Sequence, residues 1–537
     1  MSGKNSRLAV WLPLVLASCL IAGMLIGKFF NTGNGNQSPV KIFAGQNKLN
    51  SILEFIGANY VDSLKIDTLT EEVIPTILEK LDPHSIYIPN RELKSVNETL
   101  RGNFDGIGVQ FNMQNDTILV IQTIQGGPSA KAGIMPGDRI ISVDGIAVAG
   151  VKMPEDSIVE RLRGPRGSEV KVGIWRQRSK NRMVYTLKRG IIPVSSVDAA
   201  YMITPEIGFI KINTFSQTTY NEFQTGLSAL KKQGCKKLIL DLRGNSGGIM
   251  DPAIRIADDF LKKGELIVYT EGRSRPREEF RAAQEDLGEN LGLAILIDEG
   301  SASASEIVAG AIQDNDRGWI IGRRSFGKGL VQEQAVLTDG SALRLTTARY
   351  YTPTGRSIQK PYKNGLDDYY HDIMRRYRKG EFMTSDSIHF NDSLKFTTPK
   401  GRAVYGGGGI MPDYFIPYDT TGITPFFMKI NQAGLIYRYA LTWSDEHREE
   451  LSVFTRVDEL SDYLDSKNVT AQFKAHLMAK DFVPSASDWT ESSLIVETQL
   501  KAYIARNFLD NEGFYPIIQA IDNTLIQAVA ILGSRSL

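Results

Sequence analysis

The apolar positions of this chain change period several times, and each change divides it. Residues 8–27 form an apolar run of 20, about the length that crosses the ~30 Å hydrocarbon core of a bilayer. Residues 31–39 are polar, rich in Gly and Asn, and read as a linker. From 40 to about 93 the period is helical: Leu49, Ile52, Leu53 and Ile56 fall at three- and four-residue spacing, as do Val73, Ile77 and Leu81. Leu81-Asp82-Pro83-His84-Ser85 stops the second helix, because proline pushes the residue before it out of helical conformation. His84, beside that turn, reads as structural. Between 97 and 189 the runs are short and strand-like, at 108–112, 118–124, 139–143, 169–175 and 183–187, with turn residues between them and a short helix at 157–162. From about 194 strands expected at 207–212, 237–242, 293–298 and 319–322 alternate with helices expected at 220–233, 252–262 and 303–313, which argues an α/β core. Residues 362–396 are charged and polar with interspersed aromatics, and are expected to decorate the surface. From about 425 to 537 the pattern is amphipathic helix.

Composition and charge narrow the function. The 537 residues carry 62 basic and 61 acidic side chains, a net charge of +1 that gives no reason to invoke nucleic acid. Two cysteines, Cys19 and Cys235, support neither a disulfide framework nor a cysteine-based zinc site. The five histidines form no HExxH pair, so no metal is expected. Lys4 and Arg7 precede the apolar run and Lys28 follows it, which favours a cytoplasmic N-terminus and an exported body. Three fates of the run are open: a retained anchor, a cleaved signal peptide, or lipid attachment at Leu16-Ala17-Ser18-Cys19. The retained anchor is favoured, because residues 20–26 stay apolar past the cysteine. All three place the body in the cell envelope outside the cytoplasm, periplasmic in a Gram-negative cell, with the membrane as a partner.

Phe104-Asp105-Gly106-Ile107-Gly108-Val109-Gln110-Phe111 has the form of a carboxylate-binding loop. Its glycines let backbone N–H groups converge on an anion, and the strand after it offers an edge to a peptide. The stretch from Gly126-Gly127-Pro128 through Met135-Pro136-Gly137-Asp138-Arg139 to Val143-Asp144-Gly145 resembles the helix-turn-strand signature of bacterial PDZ domains. Gly106, Ile107, Gly108 and Val109 are the expected peptide-binding residues.

Three serines compete as nucleophile. Ser246, in Gly244-Asn245-Ser246-Gly247-Gly248, mimics the nucleophile loop of trypsin-like proteases, but that chemistry needs a histidine base, and His84 is the only upstream histidine. Ser325 precedes Lys328 by three residues, as in penicillin-binding proteins, but Gly327 and Gly329 disfavour the helical turn that pairing requires. Ser303 follows a buried strand at the start of a helix, where backbone N–H groups point at a developing oxyanion. Ser301 and Ser305 are expected caps. Gly322 to Lys328 begins a phosphate-loop pattern, but Gly329 stands where a hydroxyl would be required, so no nucleotide or other cofactor is expected.

Gly300-Ser301-Ala302-Ser303-Ala304-Ser305-Glu306-Ile307, Ser325-Phe326-Gly327-Lys328-Gly329-Leu330-Val331-Gln332, Asp241-Leu242-Arg243-Gly244-Asn245-Ser246-Gly247-Gly248, Tyr350-Tyr351-Thr352-Pro353-Thr354-Gly355-Arg356-Ser357-Ile358-Gln359, Leu81-Asp82-Pro83-His84-Ser85 and Gly406-Gly407-Gly408-Gly409-Ile410-Met411-Pro412-Asp413 together resemble the C-terminal processing (tail-specific) peptidases. The resemblance covers about 40–417. It implies Ser303 as nucleophile, Lys328 as base and Gln332 as the residue orienting it, in a serine endopeptidase that captures free C-terminal tails of proteins through its PDZ domain. The oxyanion hole is expected from Ala304 with Gly247 or Gly248, Gly248 being favoured. Arg243 and Asp241 are expected to brace that loop. The competing reading is a non-catalytic PDZ scaffold on a retained protease fold.

The expected fold class is therefore α/β multidomain: an N-terminal membrane segment and helical region, a PDZ-like β-rich domain, an α/β serine-protease core and a helical C-terminal region. The expected boundaries are 1–30 for the membrane segment, 31–93 for linker and helices, 94–192 for the PDZ domain and 193–360 for the core. An insertion with core completion follows at 361–420, and the helical domain at 421–537. The last leaves room for an oligomer or a regulatory partner.

Overall fold

The computed structural model describes residues 48–534, apart from 115, 125, 177–180, 284–287, 289 and 390. It falls into two units, residues 1–74 and 75–537. In the first, helix Lys48–Asn59 meets the start of helix Ile66–Leu78 through Gly57, where a Cβ would come within 2.8 Å of the Ile66 side chain.

The second unit is built on a six-stranded sheet in the order Val197–Met202, Ile207–Ile212, Lys237–Asp241, Gly292–Ile297, Trp319–Gly322, Tyr414–Phe415. Its first pair is antiparallel and the other four are parallel. The central strands are apolar on both faces because both faces are covered. Ile210, Leu238, Leu240, Leu293 and Ile295 pack with side chains of helices Thr219–Lys232, Met250–Asp258 and Ala304–Asp314. Phe209, Ile239, Ala294, Leu296 and Ile321 pack with Leu525, Ala528 and Leu532 of helix Asn523–Ser534.

Two further sheets frame this core. The hairpin Leu330–Val336 with Ala342–Tyr351 is extended along the other edge of Ala342–Tyr351, by Ile86–Ile88 at one end of that strand and by Leu266–Gly272, followed by Arg275–Arg281, at the other. These half-exposed strands carry mixed side chains and give no clean period. The β-rich module has antiparallel strands in the order Val109–Gln114, Thr117–Thr123, Arg139–Val143, Glu169–Arg176, Asn181–Lys188, with helix Glu155–Leu162 contributing Ile158 and Leu162 to its core. Its entry strand Asn103–Gly106 pairs with its exit strand Gly190–Pro193.

The C-terminal helices have their own core, around Phe427, Ile430, Trp443, Phe473 and Leu500. One of them, Leu435–Glu446, lies on the outer face of the β-rich module. Leu441 packs with Leu119 and Ile121, Asn112 donates to the Tyr437 hydroxyl at 2.7 Å, and Arg139 pairs with Asp445 at 3.3 Å. Further on, Asp522 accepts two hydrogen bonds from Arg243, at 2.9 and 2.6 Å, and so reaches the end of strand Lys237–Asp241.

Two expectations are corrected. The run 8–27, expected as a membrane segment, lies outside the described residues. Among the described residues no single helix is long and apolar enough to cross a membrane. The one pair that together has the length and composition lies at the other end of the chain, Ala486–Ile521 with Asn523–Ser534, bent by 82°. Length and apolarity are shared by membrane spans and buried helices, and the second member of this pair spends its apolar face on the core sheet. Residues 362–396 are not mere surface decoration. Arg376 is buried and donates to the carbonyls of Ser325 and Arg324, and Tyr369 is buried against His84. Burial there depends on a groove that only the folded core creates.

Candidate active site

Ser303 sits between strand Gly292–Ile297 and helix Ala304–Asp314, at φ 55° and ψ −112°. Positive φ is unusual for a residue with a Cβ and persists only where the surroundings impose it. Here two loops are stitched together. Ser301 Oγ donates to the Leu242 carbonyl (2.8 Å), Ala302 N–H and Ser305 Oγ donate to the Asn245 carbonyl (3.0 and 2.9 Å), and Asp298 accepts from Gly244 N–H (2.8 Å). Ser301 and Ser305, expected as caps, thus tie the neighbouring loop instead. Gly247 is obligatory: its φ is 102°, and a Cβ there would lie 2.7 Å from Ser303 Cβ.

The cavity at this turn has a volume of about 430 Å³. It brings together Ser303, Ala304, Gly248, Lys328 and Gln332, with Tyr350 and apolar walls including Leu100, Met250 and Ile307. Gly247 lies behind it. Its N–H donates to Asn245 Oδ1 at 2.9 Å. Gly248 forms a parallel bridge to Phe215 in which the flanking groups bond, Phe215 N–H to the Gly247 carbonyl (3.0 Å) and Ile249 N–H to the Phe215 carbonyl (2.7 Å). That pattern leaves the Gly248 N–H facing away from Phe215.

Lys328 enters from the loop before strand Leu330–Val336. Its Nζ donates to Gln332 Oε1 at 3.4 Å, and Gln332 Nε2 donates to the His84 carbonyl. Burial, with Arg344 nearby, lowers the lysine from its usual range, against the opposing pull of Glu306 and Asp82. Ser303 and Lys328 are also joined behind the cavity. The Tyr350 hydroxyl is within donating reach of both their carbonyls, at 3.1 and 2.8 Å.

Glu306 has no role assigned to it by the sequence patterns. Every residue of helix Ala304–Asp314 is buried, so this charge must be satisfied internally. Oε2 accepts from the N–H groups of Ser303 (2.8 Å) and Lys328 (2.9 Å), and Oε1 from Ser325 Oγ (2.5 Å) and Gly327 N–H (2.7 Å). Burial raises its carboxyl above the usual range and these four donors oppose that. The signal available in the sequence was an acid at the third position of the helix, directly before the apolar run Ile307–Ile312. Ser325, the rival serine, is fully buried, and besides Glu306 it serves Ile410 N–H at 2.6 Å. Ser246 lines the cavity but has no histidine beside it there.

His84 lies near Lys328 and is tied to Gln332 through its carbonyl. Its Nε2 lies 2.7 Å from the Tyr369 hydroxyl, and burial, then Lys328, push its imidazole down to about 4. An unfolded chain takes up this proton near ~6.5, so the folded state loses stability as pH falls from there towards about 4. His84→Gln should remove this component, on the order of 2 kcal/mol, from the difference in urea-unfolding stability between pH 7 and 4.5. An equal acid loss in both proteins would refute the assignment.

Gly106 is paired in the strand Asn103–Gly106, Ile107 is buried in the module core, Gly108 has φ 74°, and Val109 opens the strand Val109–Gln114. That strand pairs only with Thr117–Thr123 among the described residues, so its other edge carries no strand partner there. These four residues do not line the cavity at Ser303. The helix Asn90–Arg101, which leads through Gly102 into the module, does line it through Asn97 and Leu100.

Known proteins carry the same parts. Peptidase family S41 matches residues 206–368, the PDZ domain matches 95–175, and a family of unknown function matches 426–510. The carboxy-terminal-processing protease of Bartonella bacilliformis is 38% identical over 345 residues, covering 63% of this chain and 78% of that protein. The carboxy-terminal processing protease CtpA of Bacillus subtilis is 35% identical over 389 residues, covering 70% and 82%. Among solved structures, the photosystem II D1 C-terminal processing protease aligns with 28% identity over 57% of this chain and 88% of its own, at a TM-score of 0.34.

The family-model matches and this kinship define a serine protease with a PDZ substrate-recognition domain. The chain belongs to the carboxy-terminal processing proteases of peptidase family S41. The scaffold alternative is thereby set aside. Recognition of substrates by their C-terminal tails is supported by the same kinship, and an exported, cell-envelope-associated protease is consistent with it.

Proposed function

We propose that peptide bonds are cut by a dyad in which Ser303 Oγ attacks the scissile carbonyl and Lys328 Nζ takes its proton. The observation that carries this reading is the single cavity holding Ser303, strained at the head of a buried helix, and a lysine whose charge is disfavoured there. Gln332 orients the amine by accepting one of its hydrogens. The N–H groups of Ala304 and Gly248 stabilise the oxyanion, while Gly247, its N–H already used, acts by lacking a side chain. Gly106, Ile107, Gly108 and Val109 receive the substrate carboxylate, and the open edge of Val109–Gln114 pairs with the tail. Residues 94–192 act as the tail reader and 193–360 as the cutting core, completed by 361–420, with 421–537 as the brace between them.

The test is cleavage of one unstructured protein with a free apolar C-terminus and with the same C-terminus amidated. Cleavage should fall at least tenfold on amidation; equal rates would remove the tail-capture role from Gly106–Val109. Ser246→Ala should retain the chemistry. Ser325→Ala should cost ~1–3 kcal/mol of stability by leaving Glu306 and Ile410 short of a partner, without removing the nucleophile.

A further inference from the structure

The cavity at Ser303 carries two basic side chains, Lys328 and Arg344, and no carboxylate among its lining residues. Arg344 stands on strand Ala342–Tyr351, opposite Gln334 of the strand that follows Lys328, and donates to Gln334 Oε1 at 2.8 Å. Among the described residues it has no ion-pair partner. The carboxylates that act on Lys328, and Glu333 next to Gln334, are committed elsewhere. Glu333 is held by Arg275, and Glu306 takes four donors, from Ser303, Lys328, Ser325 and Gly327. Asp82 accepts from Ser85, from His84 N–H and from the Thr346 hydroxyl. A guanidinium keeps its proton at any working pH, whereas an ammonium can release one. Where two like charges share a half-desolvated cavity, the weaker holder of its proton yields.

We propose that Arg344 is a positioning residue that keeps Lys328 unprotonated and ready to accept the proton of Ser303. The proposal rests on the reading of Lys328 as the base. The groups facing Lys328 are Arg344 from its strand, Glu306 from helix Ala304–Asp314, and Asp82 and His84 from the segment before Ile86–Ile88, with Lys360 acting on His84 from beyond. Burial and Arg344 lower the lysine, the two acids raise it, and His84 stays neutral above about pH 4. Arg344 also assists the return of the proton. When the Ser303 Oγ–carbonyl bond forms, the proton moves to Lys328 Nζ and leaves an ammonium beside a guanidinium. When the carbon–nitrogen bond breaks, that proton passes to the departing amine and Lys328 is neutral again, ready to activate the water that releases Ser303.

The test is the pH dependence of the rate at which a fluorophosphonate labels Ser303 in the full chain, together with kcat/KM on an unstructured protein. Wild type is compared with Arg344→Gln, Arg344→Met, Arg344→Lys and Lys328→Ala. In the Gln and Met variants the acid limb should move up by about one pH unit, roughly a tenfold loss at a pH on that limb that is recovered at higher pH. Arg344→Lys should keep the limb near its wild-type position. A uniform loss at every pH, or an unmoved limb, would overturn the proposal and assign Arg344 to substrate binding or packing. Labelling of Lys328→Ala at the wild-type rate would instead overturn the dyad itself, whatever Arg344 does.

Discussion

Ser303→Ala is expected to reduce kcat/KM by about 10⁴-fold or more, leaving only what the oxyanion donors and substrate binding supply. Lys328→Ala should fall to a similar level, because the serine is a poor nucleophile without a group to take its proton. The two act as a unit, so the double variant should be little worse than either single one. None of the three should lose the fold: Ser303 and Lys328 both bond Glu306 through their backbone N–H groups, which alanine keeps, the Lys328 side chain loses only its bond to Gln332, and neither substitution leaves a buried charge unpaired. Initial rates on an unstructured protein, with urea unfolding as the control, check both points. Full activity in Lys328→Ala would dispose of the dyad.

Glu306 is expected to give the second largest effect, on both stability and activity. Its two carboxylate oxygens serve two different pairs of donors, Ser303 with Lys328 on one and Ser325 with Gly327 on the other. Glu306→Gln keeps the volume but must turn an NH₂ group towards one pair or the other. Either choice sets donor against donor inside a helix that has no access to water. A loss of ~2–4 kcal/mol in stability is expected, with a fall of ~10²-fold in labelling of Ser303, because a loop displaced by about 1 Å costs that much. Glu306→Ala removes the acceptor for four donors and should be worse still. The urea midpoint and the labelling rate read the two effects separately. A Glu306→Gln protein as stable and as reactive as wild type would show that the carboxylate is dispensable.

The alternation of period after residue 194 was legible because the central strands are covered on both faces, while helices Thr219–Lys232 and Met250–Asp258 are buried on one. Ile207–Ile212 and Trp319–Gly322 accordingly stand where the pattern put them. The hairpin Leu330–Val336 with Ala342–Tyr351 was not legible. Its strands are half-exposed and stabilised by cross-strand partners far away in sequence, such as Ile86–Ile88. The insertion was misread for a related reason. Arginine is mostly exposed and tyrosine only intermediate in burial, and it is the groove beside Ser325 and His84 that buries Arg376 and Tyr369.

By itself the sequence determined the order of the modules, the α/β character of the core, and the short motifs that present Ser303, Lys328, Gln332 and the glycines of the two loops. These follow from local rules: periodicity, turn residues, and positions where only glycine can adopt the backbone. Which groups surround the reacting atoms was decided by the tertiary structure. Folding placed Glu306 behind both loops, set Arg344 and His84 around Lys328, gave the Gly247 N–H to Asn245 and turned that of Gly248 aside, and laid a C-terminal helix on the back of the tail-reading module. The physical reason is common to all of these. Burial, hydrogen-bond satisfaction and charge coupling depend on distance in space, and residues far apart in the chain acquire that distance only when the chain is packed.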